Sequence, residues 1–313
     1  MMSDLRGEPE SGTEVSKPSE PAPLDASSLR PRKKQRSPGW RILVTMGLAV
    51  AAVYFLFPVY WLVIAATKST AGLFGSSGLA LNKPQLLSNL TNVVTYSDGI
   101  FERWAFNSLL YSGVGAIVAT LLSIMAGYCL AKFSFRGREA WFNIILAGVM
   151  VPGTALALPL FLLMSQVDLV NTYWSVLLPS LVSPFGVYLG RIYAMAAVPD
   201  SLLEAARLDG AGEYRIFFTL VLRMMAPAAV TVFLFQFIGI WNNFFLPLVM
   251  LSDPHLYPIT LGLVSWQGVA DRHPELYQLA VGGAFLSVIP IMIGIVSLQR
   301  FWKAGLAEGS VKG

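Results

Sequence analysis

For its 313 residues the chain has little charge, two histidines and a single cysteine. Cys129 has no second thiol to join, so no intrachain disulfide forms, and it reads as a small packing residue within an apolar run. No His/Cys cluster offers a metal site; His255 and His273 sit in the outer loop expected between the last two apolar runs, where they are solvated. No GxxxxGK[ST] phosphate loop occurs, so the chain does not hydrolyse ATP by that chemistry. Neither GxSxG nor HExxH is present. The long apolar runs hold almost no Asp, Glu or His away from their ends. That argues against an intramembrane enzyme and against a proton- or ion-coupled carrier, both of which need buried titratable groups. No catalytic residue, metal ligand or bound cofactor is expected.

What the chain does have is hydrophobic length. Hydrophobic residues make up 55% against 13% charged, and the mean hydropathy is +0.61, far from the balance of a soluble domain. Crossing the hydrocarbon core takes about 20 mostly apolar residues as helix. Six runs qualify: Ile42 to Ala66, Trp104 to Ala131, Trp141 to Met164, Tyr173 to Ala194, Ala226 to Leu251, and Leu279 to Trp302. Backbone in lipid must satisfy its own hydrogen bonds, and these runs lack period-2 alternation, so they are helices rather than barrel strands. The expected fold is all-α, with six transmembrane helices.

Basic residues set the orientation. Arg30, Arg32, Lys33, Lys34, Arg36 and Arg41 precede the first run. Taking that side as cytoplasm places sixteen basic residues near the membrane there, besides Arg6 and Lys17 farther out in the tail, and leaves four, Lys68, Lys83, Arg103 and Arg272, on the other. This is a strong positive-inside bias, and it puts both termini in the cytoplasm. The net charge of +4 is accounted for by this surface and needs no nucleic-acid partner. Residues 1–37 are rich in Pro, Ser and Glu, with almost no large apolar side chains, and read as a disordered cytoplasmic tail before a membrane domain at 38–313. Its polybasic end is either a topology signal or a contact to anionic headgroups.

One polar, structured segment, about 197–227, lies between the fourth and fifth runs. Ser201-Leu-Leu-Glu204 reads as a capping box opening a short helix to about Leu208. Asp209-Gly-Ala-Gly212 is a turn signal. A second helix then carries Ile216, Phe217, Leu220, Val221 and Met224 on one face and Arg215, Thr219 and Arg223 on another. A helix–Gly turn–helix of this kind makes a rigid knob, where a flexible loop would absorb an applied displacement.

Glu204-Ala205-Ala206, Asp209-Gly210-Ala211, the apolar run Ile216 to Leu222 and Pro227 together resemble the cytoplasmic EAA coupling loop of bacterial ABC importer permeases. Arg223 stands where that family usually has proline, which implies a softer bend into the fifth span or one resting on Pro227 alone. The resemblance covers about Arg41 to Gly313. Arg103-Trp-Ala-Phe-Asn107-Ser-Leu-Leu, Val151-Pro, Ser183-Pro-Phe-Gly186, Trp241-Asn-Asn-Phe-Phe-Leu-Pro247 and Val311-Lys-Gly313 look like permeases of binding-protein-dependent carbohydrate importers, of the maltose-transporter G-subunit type. It implies an ATPase-coupling role for Glu204, Ala205, Ala206, Asp209, Gly210 and Ala211, with Glu204 facing the ATPase and Gly210 in a conformation without room for a side chain. It also implies a second homologous permease, two cytoplasmic ATPase subunits, an extracytoplasmic sugar-binding protein and a place in the bacterial inner membrane. Another solute, such as an amino acid or a polyol phosphate, remains an alternative to sugar at this point.

Within the spans the polar residues are mostly amides and hydroxyls. Gln236 and Asn243 fall two helical turns apart on one face, with Trp241 and Asn242 nearby. Such groups either pair with a neutral polyol, the ring covering its apolar face, or join neighbouring helices. Pro152, Pro159, Pro179, Pro184 and Pro290 each remove a backbone hydrogen bond from a span. They mark hinges or simply the commonness of proline in membrane helices.

The sixteen-to-four asymmetry is checked by thiol labelling in a Cys129-free background. Cysteines at Ser16 and Gly212 are expected to resist a membrane-impermeant reagent in intact cells, and those at Ser77 and Asp271 to react. Labelling of Gly212→Cys from outside reverses the orientation.

Overall fold

The computed structural model describes residues 38–81 and 84–309; the expected tail at 1–37 and the terminal Val311-Lys-Gly313 lie outside them. The described residues are helical, with no strand among them, as the apolar runs require. By Cα proximity the chain divides into two units, Met1–Tyr54 and Phe55–Gly313. The described part of the first unit is the beginning of α1 (Pro38–Ala66), where Leu48, Val50 and Val53 are exposed, as on a helix solvated by lipid.

The second unit continues with α2 (Thr70–Gly75), α3 (Leu86–Thr95), α4 (Ile100–Lys132), α5 (Arg138–Gly148), α6 (Gly153–Gln166), α7 (Tyr173–Ser180) and α8 (Pro184–Ala197). Then come α9 (Asp200–Leu208), α10 (Glu213–Ile216), a π-helical turn at Phe217–Val221, α11 (Leu222–Met224), α12 (Ala226–Trp241) and α13 (Phe245–Met250). A 3₁₀ turn at Pro254–Leu256, α14 (Ile259–Val269) and α15 (Glu275–Gly309) complete it. Among the described residues four stretches are long and apolar enough to cross a membrane, and counting each of two bent pairs as one span raises that to six.

Not every expected span is one straight rod. The third breaks into α5 and α6 with a bend of 103°. Pro152, which has no N–H to donate, stands at the N-cap of α6 and ends any continuous ladder there. The fourth is interrupted before Pro184, where the Ser183 hydroxyl caps α8 by accepting from Gly186 N at 3.0 Å. The fifth stops at Trp241 and restarts at Phe245. Asn242 turns its side chain back to the Ile238 carbonyl at 2.9 Å, and Asn243 Oδ1 accepts from Leu246 N at 3.3 Å, so the two amides close one helix and open the next. Cys129 also departs from expectation: it is exposed on α4 rather than packed.

The long helix α4 organises the unit. Toward its C-terminal end, the small residues Ser123 and Gly127 meet Gly186 and Gly190 of α8. A Cβ at Gly127 would lie 2.5 Å from Arg191 N and 2.6 Å from the Gly190 carbonyl carbon. Contacts that close are between backbones, which cannot swing aside. In lipid no hydrophobic gain draws helices together, so such small-residue seams supply the packing. Arg191, 8% exposed, extends from the seam to α5, donating to Glu139 Oε1 at 2.6 Å and lying 4.0 Å from the centroid of the Phe142 ring.

At its other end α4 holds the connection that precedes α14. Asn107, fully buried, donates to the carbonyls of His255 and Tyr257 at 2.8 and 3.0 Å and accepts from the Tyr173 hydroxyl at 2.9 Å. Trp104 Nε1 and Tyr111 Oη donate to the Pro254 and Leu256 carbonyls at 2.8 and 3.0 Å, and Ser108 Oγ accepts from Ile259 N at 2.8 Å. The stretch between the last two spans is therefore no solvated loop. It contains α14, with Ile259, Leu261 and Trp266 buried, while His255 and His273 remain exposed. Gly262 packs so tightly on the Trp104 ring that a Cβ would lie 2.2 Å from it.

The seam gives a paired prediction. Gly127→Ala should lower the thermal midpoint of the purified protein, at a cost of about 1–3 kcal/mol for overpacking. Gly113→Ala, in the same helix with nothing within 4 Å of the new methyl, should be neutral or stabilise by up to about 1 kcal/mol. Equal midpoints for the two variants would remove the close approach as a determinant of the fold.

Candidate functional site

The segment between α8 and α12 is a continuation of the helical core. Leu203 and Ala206 of α9, Ile216 of α10 and Phe217 and Val221 of the π turn are buried in one cluster with Ile124 and Tyr128 of α4 and Ala194 of α8. The apolar face predicted for the second helix is the buried one, with Leu220 and Met224 partly covered and Arg215, Thr219 and Arg223 exposed.

The start of α9 differs from the capping box. The helix begins at Asp200, one residue before Ser201, with Pro199 at the N-cap and no side-chain cap. Asp200 in the first turn faces the positive end of the helix dipole, and its Oδ1 accepts from Lys132 Nζ, at the end of α4, at 2.8 Å. At the other end of α9, Gly210 N donates to the Arg207 carbonyl and Ala211 N to the Ala206 carbonyl, each at 3.0 Å. With Gly210 at φ +78°, this is a Schellman motif. The spacing from Ala206 to Gly210 and Ala211 follows from it. Ala206 is buried, Gly210 takes the left-handed position, and Ala211 packs back onto the same cluster.

Gly210 is constrained by its backbone alone, not by a lack of room: a Cβ there meets nothing within 4 Å. Across the turn, Arg207 forks onto Glu213, with Nε to Oε1 at 2.7 Å and Nη2 to Oε2 at 3.4 Å. Donating to the Glu213 carboxylate holds the Arg207 pKa above its usual value. So exposed a pair adds little stability, and its effect is to fix the angle between α9 and α10.

Glu204, Ala205, Asp209 and Gly210 lie on the exposed side. Between and beside them stand two apolar residues that sequence reasoning passed over, Leu208 at 89% and Tyr214 at 79% exposed. Leu208, set between Arg207 and Asp209 off the buried face, was the available signal. The bend into α12 is not soft despite Arg223: Glu213–Met224 and Ala226–Trp241 meet at 80°. Met225 is the break, at φ −86° and ψ 5°, separated by the single turn of α11 from a π turn of the kind that recurs at functional sites.

A cavity of about 460 Å³ lies among α6, α7, α12 and α13, lined in part by Thr154, Leu160, Ser180, Gln236, Asn243 and Phe245. Gln236 and Asn243 thus meet at one surface, although α12 ends between them. Trp241 and Asn242 are not part of this lining. Trp241 is 3% exposed and stacks on Phe237 at 5.7 Å in a cluster with Trp104 and Trp266. Asn242 is exposed, its amide committed to its own helix.

A helical membrane unit with a rigid, exposed knob, and at its span breaks a cavity into which two amides and two hydroxyls are set, has the architecture of a transport subunit. Residues 119–304 match the model of the binding-protein-dependent transport system inner membrane component, and the chain belongs to that family. It is 34% identical to the arabinooligosaccharide transport system permease AraQ of Halalkalibacterium halodurans, over 90% of this chain and all of that one. It is 32% identical to the lactose transport system permease LacG of Rhizobium radiobacter, over 85% of this chain and 94% of that one. A solved bacterial ABC transporter involved in import of the acidic polysaccharide alginate has a chain of the same fold. That match has TM-score 0.73 at 22% identity and covers 85% of this chain and 99% of the other.

The cavity and the core cluster separate two kinds of residue. Trp241→Ala should cost about 3–5 kcal/mol and lower the yield of monodisperse protein in size-exclusion chromatography. Gln236→Leu should purify and melt as the parent does while solute uptake falls. Parallel loss of folded protein and uptake in both variants would make Gln236 a structural residue.

Proposed function

We propose that the chain is one of two related membrane subunits of a bacterial inner-membrane importer for a sugar or oligosaccharide, driven by a separate ATPase. Both termini face the cytoplasm in this reading, and the knob of α9 and α10 faces two copies of the ATPase. A binding protein on the other side delivers the solute. The chain itself binds no cofactor and performs no covalent chemistry. The observation that carries the proposal is the way the knob is fastened. Leu203, Ala206, Ile216 and Phe217 root it in the cluster shared by α4 and α8, and Lys132 ties its first turn to α4.

A push on Glu204, Leu208 or Tyr214 therefore reaches α4, α8 and α12 as a rigid-body load. Closure of the ATPase pair would move these helices together and turn the cavity beside Gln236 and Asn243 from inward- to outward-facing. Glu204, Ala205, Asp209 and Gly210 form the ATPase-facing surface, while Ala206 and Ala211 set its shape from behind. A sugar is favoured by the relatives named for arabinooligosaccharides and lactose and by the neutral amides and hydroxyls that line the cavity.

Gly210→Val puts a β-branched side chain at φ +78°, where an L-residue pays roughly 1–2 kcal/mol. Glu204→Lys reverses a charge on the exposed face. Both variants should insert and assemble but lose binding-protein-stimulated ATP hydrolysis and uptake in reconstituted vesicles. Stimulation and transport at parental rates in both would refute the coupling role.

A further inference from the structure

A second polar cavity, of about 390 Å³, lies between α2, α3 and the start of α15, well within the size range of small-molecule sites. Its floor includes two buried amides, Asn89 at 4% and Gln278 at 5% exposure. Asn89 spends its amide protons on the carbonyls of Ala66 and Lys68, at 2.8 and 2.9 Å, closing the end of α1. Gln278 is different: its Nε2 is buried and donates to no group among the described residues. A buried donor left unmet costs about 1–3 kcal/mol, so a glutamine kept there without a partner calls for one that the chain alone does not supply.

The wall above is hydroxyl- and amide-bearing, with Thr70, Gln85, Asn92 and Thr95, one ring from Tyr96 and one carboxylate from Glu275 at the rim. The Lys68 ammonium, although close in sequence, is 2% exposed and turned to Ser76 Oγ and the Ser77 carbonyl. The described lining residues thus offer no cation to an anion. They offer paired donors and acceptors, which match vicinal hydroxyls, and a ring to cover a C–H face.

We infer that this cup is a second saccharide subsite, distinct from the cavity at Gln236 and Asn243, which takes a neutral mono- or disaccharide unit through Gln278 and Asn92 before it enters the spans. The inference rests on the import reading above. In the orientation set by the basic residues, the cup opens on the side from which solute arrives. It would hold one end of a sugar chain while the other passes on.

The test uses the fully assembled transporter in nanodiscs, without binding protein, and saturation-transfer NMR. The probes are arabinose, arabinobiose, glucose and lactose, with sn-glycerol 3-phosphate as the anionic counter-probe. At least one neutral sugar is expected to receive saturation, and Gln278→Leu and Asn92→Leu should each weaken it on the order of tenfold, the loss of one good hydrogen bond. Gly113→Ala, which lines neither cavity, should leave that signal in place. Gln278→Leu removes an unmet donor, so its thermal midpoint should hold or rise; Asn92 is exposed, so its variant folds in any case.

Unchanged saturation in both cup variants overturns the subsite, and so does saturation of the phosphate alone. A signal lost only in Gln236→Leu sinks the cup and leaves sugar import standing. No saccharide signal at all, together with no sugar uptake by the complete transporter, sinks both. Weakened docking of the binding protein with saccharide binding intact would assign the cup to a protein contact instead.

Discussion

The backbone contact between Gly127 and Gly190 sets how α4 and α8 lie together, and the placement of the other helices follows from it. Burying apolar side chains from lipid gains almost nothing, because the tails are as apolar as leucine. Helix association then depends on dispersion at close range and on hydrogen bonds that lipid cannot offer. The seam supplies the first. The bonds from Trp104, Asn107, Ser108 and Tyr111 at the far end of the same helix supply the second. One helix thereby fixes α8 and the root of the knob at one end, and α14 with its flanking turn at the other.

Stiffness in the knob comes from burial and geometry more than from charge. The Arg207–Glu213 and Lys132–Asp200 pairs each have a well exposed carboxylate, and pairs of that kind contribute about 0–1 kcal/mol. The apolar side chains beneath are another matter: each fully buried one is worth about 1.5–3 kcal/mol by area, and four of them lie in the cluster. The ion pairs choose an orientation that the core then holds. A displacement imposed at Leu208 or Tyr214 is resisted first by that core, so it passes into α4 and α8.

Much of this was readable in the chain itself. Six apolar runs, the buried face from Ile216 to Val221 and the turn at Gly210 follow from composition and period, which are local properties. What escaped was non-local or hidden in neighbouring choices. The block around Trp104 and Asn107 carried a family resemblance, but its role as a clamp needs partners some 150 residues downstream, and no periodicity announces them. Gly186 and Gly190 stand four apart, a close-packing spacing that was open to reading. The break at Asn242 was missed because a continuous apolar run overrode the tendency of adjacent asparagines to bond their own backbone. Trp241, read as a platform for a sugar, is core because α14, invisible as a helix in an expected loop, covers it.

The three interrupted spans have a common position. α5 gives way to α6 before Gly153 and Thr154, α7 gives way to α8 around Val182, and α12 gives way to α13 around Asn243 and Phe245. Residues from all three breaks line the one cavity that also holds Gln236. Broken helix leaves N–H and C=O groups without ladder partners, and in hydrocarbon each would cost several kcal/mol. Irregular backbone at membrane depth is tolerated where it borders protein or water. Pro152, Ser183 and the two asparagines therefore do more than bend their own helices: they end helix beside the cavity, so that Thr154, Ser180, Gln236 and Asn243 line it together with backbone freed from the ladders. A solute with many hydroxyls can exchange its hydration for such a surface group by group. A pathway walled by six unbroken helices would offer it side chains alone.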